Sequence, residues 1–122
     1  MIQFVIPYPP TVNHFYQRSG KRVFRSKEYR DFIGRVGWIW TASAPGNWKT
    51  DGRFSVNLEV FPPDYRKRDL DNIVKATFDA LTQSCAWRDD SQVEALHVRR
   101  RSPDKENPRV VVVIIRGVPK GF

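Results

Sequence analysis

The spacing of hydrophobic and polar residues changes period several times along the chain, and each change marks an element. Ile2, Phe4 and Ile6 alternate with Gln3 and Val5, which predicts a short strand stopped by Pro7 and the Pro9-Pro10 pair. From His14 to Arg25 aromatic and cationic residues interleave around Ser19-Gly20, the pattern of a hairpin or an ordered loop. Ser26 is placed to cap a helix, because Tyr29, Phe32, Ile33, Val36 and Trp40 follow it at helical spacing until Pro45-Gly46-Asn47 ends the run.

Phe54, Val56, Leu58 and Val60 share one face of a second strand, with Ser55, Asn57 and Glu59 on the other and Pro62-Pro63 closing it. Leu70, Ile73, Val74, Thr77 and Leu81 form a helical stripe, with Phe78 adjoining, so a second helix is expected from near Asp69 to about Gln83. Its opposite face carries Asp71, Lys75 and Asp79. After the turn Trp87 to Ser91 come a strand with Val93, Ala95 and His97 on one face and Leu96 and Val98 on the other, a second turn over Ser102 to Pro108, and the apolar strand Val110 to Ile115. The order βαβαββ predicts an α+β fold: a mixed β-sheet with two main helices packed on it, in a single small domain over residues 1–122 whose last residues, 117–122, form a loose tail. There is no repeat, low-complexity stretch or linker.

Charge changes the picture from fold to partner. Lys and Arg number 21 against 13 Asp and Glu, a formal charge of +8, and such a balance favours a polyanion. A membrane surface would also suit the charge, but the sequence has no basic amphipathic helix, and its longest strongly apolar run, Val110 to Ile115, is far short of the roughly 20 residues a spanning helix needs. Met1-Ile2-Gln3-Phe4 lacks the basic start of a secretory signal, so a cytoplasmic protein is expected. The single Cys85 allows no internal disulfide, and with only His14 and His97 beside it no Cys/His zinc site can be built within one chain. Glycine-rich dinucleotide and phosphate loops and the serine elbow are absent, which excludes a nucleotide cofactor of those kinds. Chemistry must come from carboxylates, and any metal must be held mainly by oxygen.

The stretch that can supply it is Arg66-Lys67-Arg68-Asp69-Leu70-Asp71-Asn72-Ile73-Val74-Lys75. If Asp69 is an extended N-cap and Asp71 lies in the first turn, the two carboxylates can converge on one metal, with Lys75 one turn on along the same face. An ion there polarises a phosphoryl oxygen or activates water, and the lysine can offset charge developing at phosphorus. A Mg²⁺ site gains from a third acid. Asp89-Asp90 is the natural donor, ahead of a strand expected to pair beside the one ending at Pro62 and so to come near the start of the second helix; spacing does not choose between these two acids. Ordinary structure explains each piece as well. Acids in a first helical turn complement the helix dipole, Asp71, Lys75 and Asp79 make an i, i+4 ladder worth roughly 0.2 to 0.5 kcal/mol per pair, and Asp-Asp-Ser is common in turns. The arrangement favours chemistry: an acidic cluster alone repels DNA, and here Arg66-Lys67-Arg68 precede the acids while Arg99-Arg100-Arg101 end the strand that follows Asp90. Tyr16, Arg18 and their neighbours add the mixture of aromatic and cationic residues found on nucleic-acid surfaces.

Residues Asp64 to Thr82, D-Y-R-K-R-D-L-D-N-I-V-K-A-T-F-D-A-L-T, followed by W-R-D-D-S-Q-V from Trp87 to Val93, resemble the signature of the RusA-type Holliday-junction resolvases of bacteria and their prophages. Pro9-Pro10-Thr11-Val12-Asn13 with Tyr16 is similar to that family's N-terminal segment, and the similarity is weakest from Gly34 to Arg53. The resemblance implies a Mg²⁺- or Mn²⁺-dependent homodimer that resolves a four-way DNA junction by paired symmetric nicks. By position it implies Asp69, Asp71 and Asp90 as metal-binding acids, Lys75 as the essential lysine, Asn72 and Gln92 in supporting roles, and Arg100 as a DNA contact. Asn13, Tyr16, Arg18, Arg66, Lys67 and Arg68 complete the candidate DNA surface. Two rivals stand beside this reading. A restriction-type nuclease lacks its Glu-x-Lys half here, and a non-catalytic module binding structured or single-stranded DNA has no need of three acids within a basic surface.

Overall fold

Alternation along the long strands decides which face of the sheet is covered. The computed structural model describes residues 1–122 apart from the Val12 side chain. The chain runs through strand β1 (Ile2–Pro7), a hairpin of β2 (Tyr16–Ser19) and β3 (Arg22–Arg25), helix α1 (Lys27–Ser43), β4 (Phe54–Phe61), helix α2 (Leu70–Gln83), β5 (Val93–Arg100) and β6 (Arg109–Arg116). The main sheet is mixed, in the order β1-β6-β4-β5; β6 is antiparallel to both neighbours and β4 is parallel to β5. One face of it, made by Ile2, Phe4 and Ile6, Val110, Val112 and Ile114, and Phe54, Val56, Leu58 and Val60, is buried against the two helices. The α+β fold, with two helices on a mixed sheet, is therefore as the periodicities predict. The His14–Arg25 segment proves to be a hairpin, closed over Gly20-Lys21 with Gly20 at φ +60°.

Local chemistry places the helices. Ser26 caps α1 by accepting from the Tyr29 backbone N–H at 3.1 Å, and its hydroxyl donates to the His14 carbonyl, tying hairpin to helix. Helix α1 turns Tyr29, Phe32, Ile33, Val36 and Trp40 inward, and α2 turns Ile73, Ala76, Thr77, Ala80 and Leu81 inward. Helix α2 ends in a Schellman motif: Ala86 N–H donates to the Leu81 carbonyl at 3.0 Å and Cys85 N–H to the Thr82 carbonyl at 3.1 Å. The left-handed position, usually glycine, is Cys85 at φ 65°.

Helix α2 connects two parallel strands, so it must run back along them. Val93, opening β5, pairs with Phe54, opening β4. Arg100, closing β5, donates to the Arg68 carbonyl just ahead of α2. Leu96 and Val98 stand opposite Val56 and Leu58 and face the helix, while His97 stands opposite Asn57 on the other face. The segment after Gly117 forms no strand or helix, and Phe122 at its end lies against the His97 ring, 4.5 Å between centroids. Among the described residues no helix is long and apolar enough to cross a membrane.

Candidate active site

Asp69 is the N-cap of α2 and extended, at φ −84° and ψ 129°, yet its carboxylate makes no capping hydrogen bond. Asp71 follows in the first turn. The ordinary duty of an acid at this position is thus left undone. Of the 13 acids in the chain, nine have a hydrogen-bond or ion-pair partner for the side chain: Glu28, Asp31, Asp51, Glu59, Asp64, Asp79, Asp89, Glu94 and Asp104. Among the described residues the acids without one are Asp69, Asp71, Asp90 and Glu106. In a chain with a surplus of cations, free carboxylates are the exception. Three of the four are the candidate ligands.

An open cleft of about 540 Å³ lies between α2 and β5, lined by Asp71, Lys75, Asp79 and Asp90 with apolar walls from Leu70, Val74, Phe78, Leu96 and Val98. Asp69 opens onto a neighbouring hollow of about 400 Å³ with Tyr8, Thr11, Asn13, Lys67, Arg68 and Asn72. Asp69 and Asp71 therefore flank the first turn of α2, each opening onto one of two neighbouring hollows. Asp90 does precede the strand paired with β4, as the sequence suggests. The parallel register, however, sets that strand's start against the start of β4, away from the start of α2, and β5 extends about 23 Å at roughly 3.3 Å per residue. Asp71 and Asp90 thus enter the cleft from opposite ends. Among the described residues no three acidic, histidine or cysteine side chains are placed to hold an ion together within one chain. The donor set is all oxygen, which suits a hard cation such as Mg²⁺ or Mn²⁺.

Lys75 Nζ stands 3.3 Å from Asp79 Oδ2, and the same oxygen accepts from the Tyr29 hydroxyl at 2.6 Å. Burial pulls the lysine's pKa down, but the hydrogen bond and charge of Asp79, helped by Tyr16, outweigh it and leave it raised, so the ammonium stays charged. Burial, with Asp79 as second cause, pushes the Tyr29 phenol well above its usual value. The Tyr16 ring lies beneath Lys75, 5.9 Å from its Nζ.

The candidate DNA residues divide by what already holds them. Arg18 on β2 is exposed and among the described residues has no acidic partner; Asn13 is exposed beside the Asp69 hollow. Arg66 is largely exposed, 3.8 Å from Asp64, and Lys67 lies between the Asp69 hollow and a second pocket walled by Arg66, Arg68, Arg100 and Arg101. Arg68 is different. Its guanidinium is mostly covered, bonds Asp64 at 2.7 Å and lies over the Tyr8 ring. That hydrogen bond, with a second from the Arg66 backbone N–H, holds the Asp64 carboxyl at a pKa of about 2. Arg100 clasps the Arg68 backbone. Gln92 joins two segments: its Oε1 accepts from Arg88 and Asp89 N–H, both at 2.9 Å, and its Nε2 donates to the Thr50 and Gly52 carbonyls, both at 2.9 Å. The turn carrying Asp90 is thereby fastened to the loop before β4, which is itself packed by Trp48 donating to the Ala86 carbonyl at 2.8 Å.

Asp79, Asp64 and Tyr8 are the site neighbours that sequence reasoning did not single out. The i+4 spacing from Lys75 put Asp79 on the right face, but its bond to Tyr29, fifty residues away, carries no sequence signal.

A cationic α+β domain with unpaired carboxylates around the start of one helix and the adjoining cleft has the makings of a nucleic-acid-processing fold. The family described as Endodeoxyribonuclease RusA matches residues 7–115, and the chain belongs to that family. It is 37% identical over 94 residues to the crossover junction endodeoxyribonuclease rusA of Enterobacteria phage 82 and 37% identical over 91 residues to RusA of Escherichia coli strain K12, each match covering 72% of both chains. To the corresponding protein of Enterobacteria phage HK97 it is 31% identical over 101 residues, 80% of this chain and 81% of the other.

Proposed function

We propose that the chain is a structure-specific endodeoxyribonuclease that resolves four-way (Holliday) DNA junctions by metal-dependent phosphodiester hydrolysis, with paired symmetric nicks, in cytoplasmic DNA recombination and repair. Beyond family membership, the observation that carries this is the set of partnerless carboxylates, Asp69, Asp71 and Asp90, on a chain of charge +8. Structural acids in such a chain find cations; these do not, which suits them to an ion.

In this reading Asp69, Asp71 and Asp90 hold Mg²⁺ or Mn²⁺, and the bound ion supplies Lewis-acid polarisation of the phosphoryl oxygen and a more acidic water. Lys75 faces the charge that develops at phosphorus. Arg66, Lys67, Arg18 and Arg100 draw the DNA backbone to the acids, with Asn13 and Tyr16 on the same surface, while Gln92 keeps the turn bearing Asp90 in place and Asn72 stands beside Asp69 in a supporting role. Resolution requires two cuts, so the working form is a two-fold dimer. Such a dimer also answers the separation of the acids, by bringing Asp90 of one protomer to Asp69 and Asp71 of its partner.

The test is cleavage of an end-labelled synthetic junction, with and without Mg²⁺, beside a linear duplex of the same sequence. Paired nicks in the junction alone, only with metal, are expected. Binding without cleavage under every metal condition would make the chain a non-catalytic DNA-binding module.

A further inference from the structure

Lys75 lies midway between two acids on one face of α2: Asp71 is four residues before it and Asp79 four residues after it. Both line the same cleft. On an isolated helix the acid on the N-terminal side is the better partner for a lysine at this spacing. The opposite is found: Lys75 pairs with Asp79, and Asp71 is left free. Something other than helix geometry makes the choice.

The difference is a third partner. Tyr29 is fully buried, its ring stacked on Phe15 at 4.3 Å and parallel to Phe32 at 6.3 Å, so its hydroxyl is a fixed donor. It donates to Asp79 Oδ2 at 2.6 Å, which sets the carboxylate with that same oxygen turned to the lysine. The Tyr16 ring lies 5.9 Å from the ammonium and adds a cation–π attraction to it in this position. A solvated surface pair has no need of a buried donor, and Asp79 is the less exposed member, at 22% against 46% for Lys75.

We propose that Tyr29 and Asp79 act as a selector that draws Lys75 away from Asp71, keeping that carboxylate free for a metal ion and the ammonium poised in the cleft. Asp79 is a positioning residue, acting through Lys75. The first half of the proposal stands on this chain's geometry alone, and the second rests on the metal-dependent reading above.

The experiment uses Asp79→Asn, Tyr29→Phe, Lys75→Ala and the Asp79→Asn/Lys75→Ala double variant in the full chain, with folding checked by thermal melts. Two things are read: the position of Lys75 Nζ in crystal structures, and Mn²⁺ binding followed by the electron spin resonance of the free ion. In Asp79→Asn the ammonium should turn to Asp71, and the Mn²⁺ dissociation constant should rise by about two- to five-fold, the range expected for a partly exposed ion pair competing for the ligand. Tyr29→Phe should shift both in the same direction by less. In the double variant, with no ammonium left to compete, Mn²⁺ binding should return to the Lys75→Ala level. A merely structural role for Asp79 predicts further loss there, and that result would overturn the proposal, as would a Lys75 that stays clear of Asp71 in Asp79→Asn. If the wild type binds no Mn²⁺, the metal reading falls by itself, and the crystal structures still decide whether the selector exists.

Discussion

Joining Asp90 of one protomer to Asp71 of the other has a consequence that no single-chain site shares. Each dimer then contains two sites, and each site takes Asp71 from one copy and Asp90 from the other. In a heterodimer of Asp71→Asn with Asp90→Asn, one site has lost both acids and the other is intact, although both parent homodimers have two damaged sites. Co-expression with two affinity tags gives the heterodimer free of its parents. It should nick labelled junctions at about half the wild-type rate, one intact site of two, and give single nicks in place of paired cuts. The reciprocal heterodimer, wild type with Asp71→Asn/Asp90→Asn, damages both sites and should be inactive. The basis is the separation set by the sheet: the parallel β4/β5 register places Asp90 at one end of a strand about 23 Å long, and Arg100 at the other end sits against Arg68, at the start of α2. If the first heterodimer is inactive and the second nicks at half rate, each site is built within one chain and the shared-site reasoning is wrong.

Asp71→Asn in both copies should abolish cleavage and leave junction affinity within a few-fold, because the cationic surface is untouched; full Mg²⁺-dependent activity in that variant would refute the ligand assignment. Replacing Arg66 and Lys67 by Ala should lower the log-log salt dependence of junction binding by up to about 0.9 per lost phosphate contact, whereas Arg68→Ala should act mainly through stability, since its guanidinium is engaged with Asp64 and over Tyr8. The Asp64 carboxyl, followed by carbon NMR, should titrate at about 2 and rise in Arg68→Ala without reaching the ordinary carboxylate value, because the Arg66 backbone N–H still donates to it; because its folded value is depressed, its contribution to stability is complete above about pH 4 and is lost as the pH falls towards 2. Cys85→Gly should stabilise the fold by about 0.5 to 1 kcal/mol, the roughly 1 to 2 kcal/mol cost of a left-handed non-glycine residue at the end of α2 less glycine's greater loss of chain entropy, and an unchanged melting temperature would show that the strain there is negligible.

Features that depend on near neighbours in the chain are legible without the fold. Alternation of period two made Phe54 to Val60 a strand with one buried face, helical spacing placed Ile73, Thr77 and Leu81 inward, and Ser26 capped the helix it precedes. The motif R-D-L-D-N-x-x-K was enough to point to the family that the comparison with known proteins then assigned. Tertiary structure decided which partner each polar group meets. Asp69 looked equally like a cap, and only the folded chain leaves it without a capping bond. Arg68 looked like Arg66 and Lys67, but Asp64 and Tyr8 turn it into a clamp. Asp79 looked like one rung of a ladder until Tyr29, fifty residues away, supplied a second bond. Order along the chain predicts Asp90 beside the start of α2, and the parallel strand register carries it to the other end of the cleft. Periodicity and capping act over a single turn or a few residues of strand, so they are written in the local order of side chains. The direction in which two distant strands pair is set by the whole packed core, and with it the distance between acids that lie nineteen positions apart in the chain.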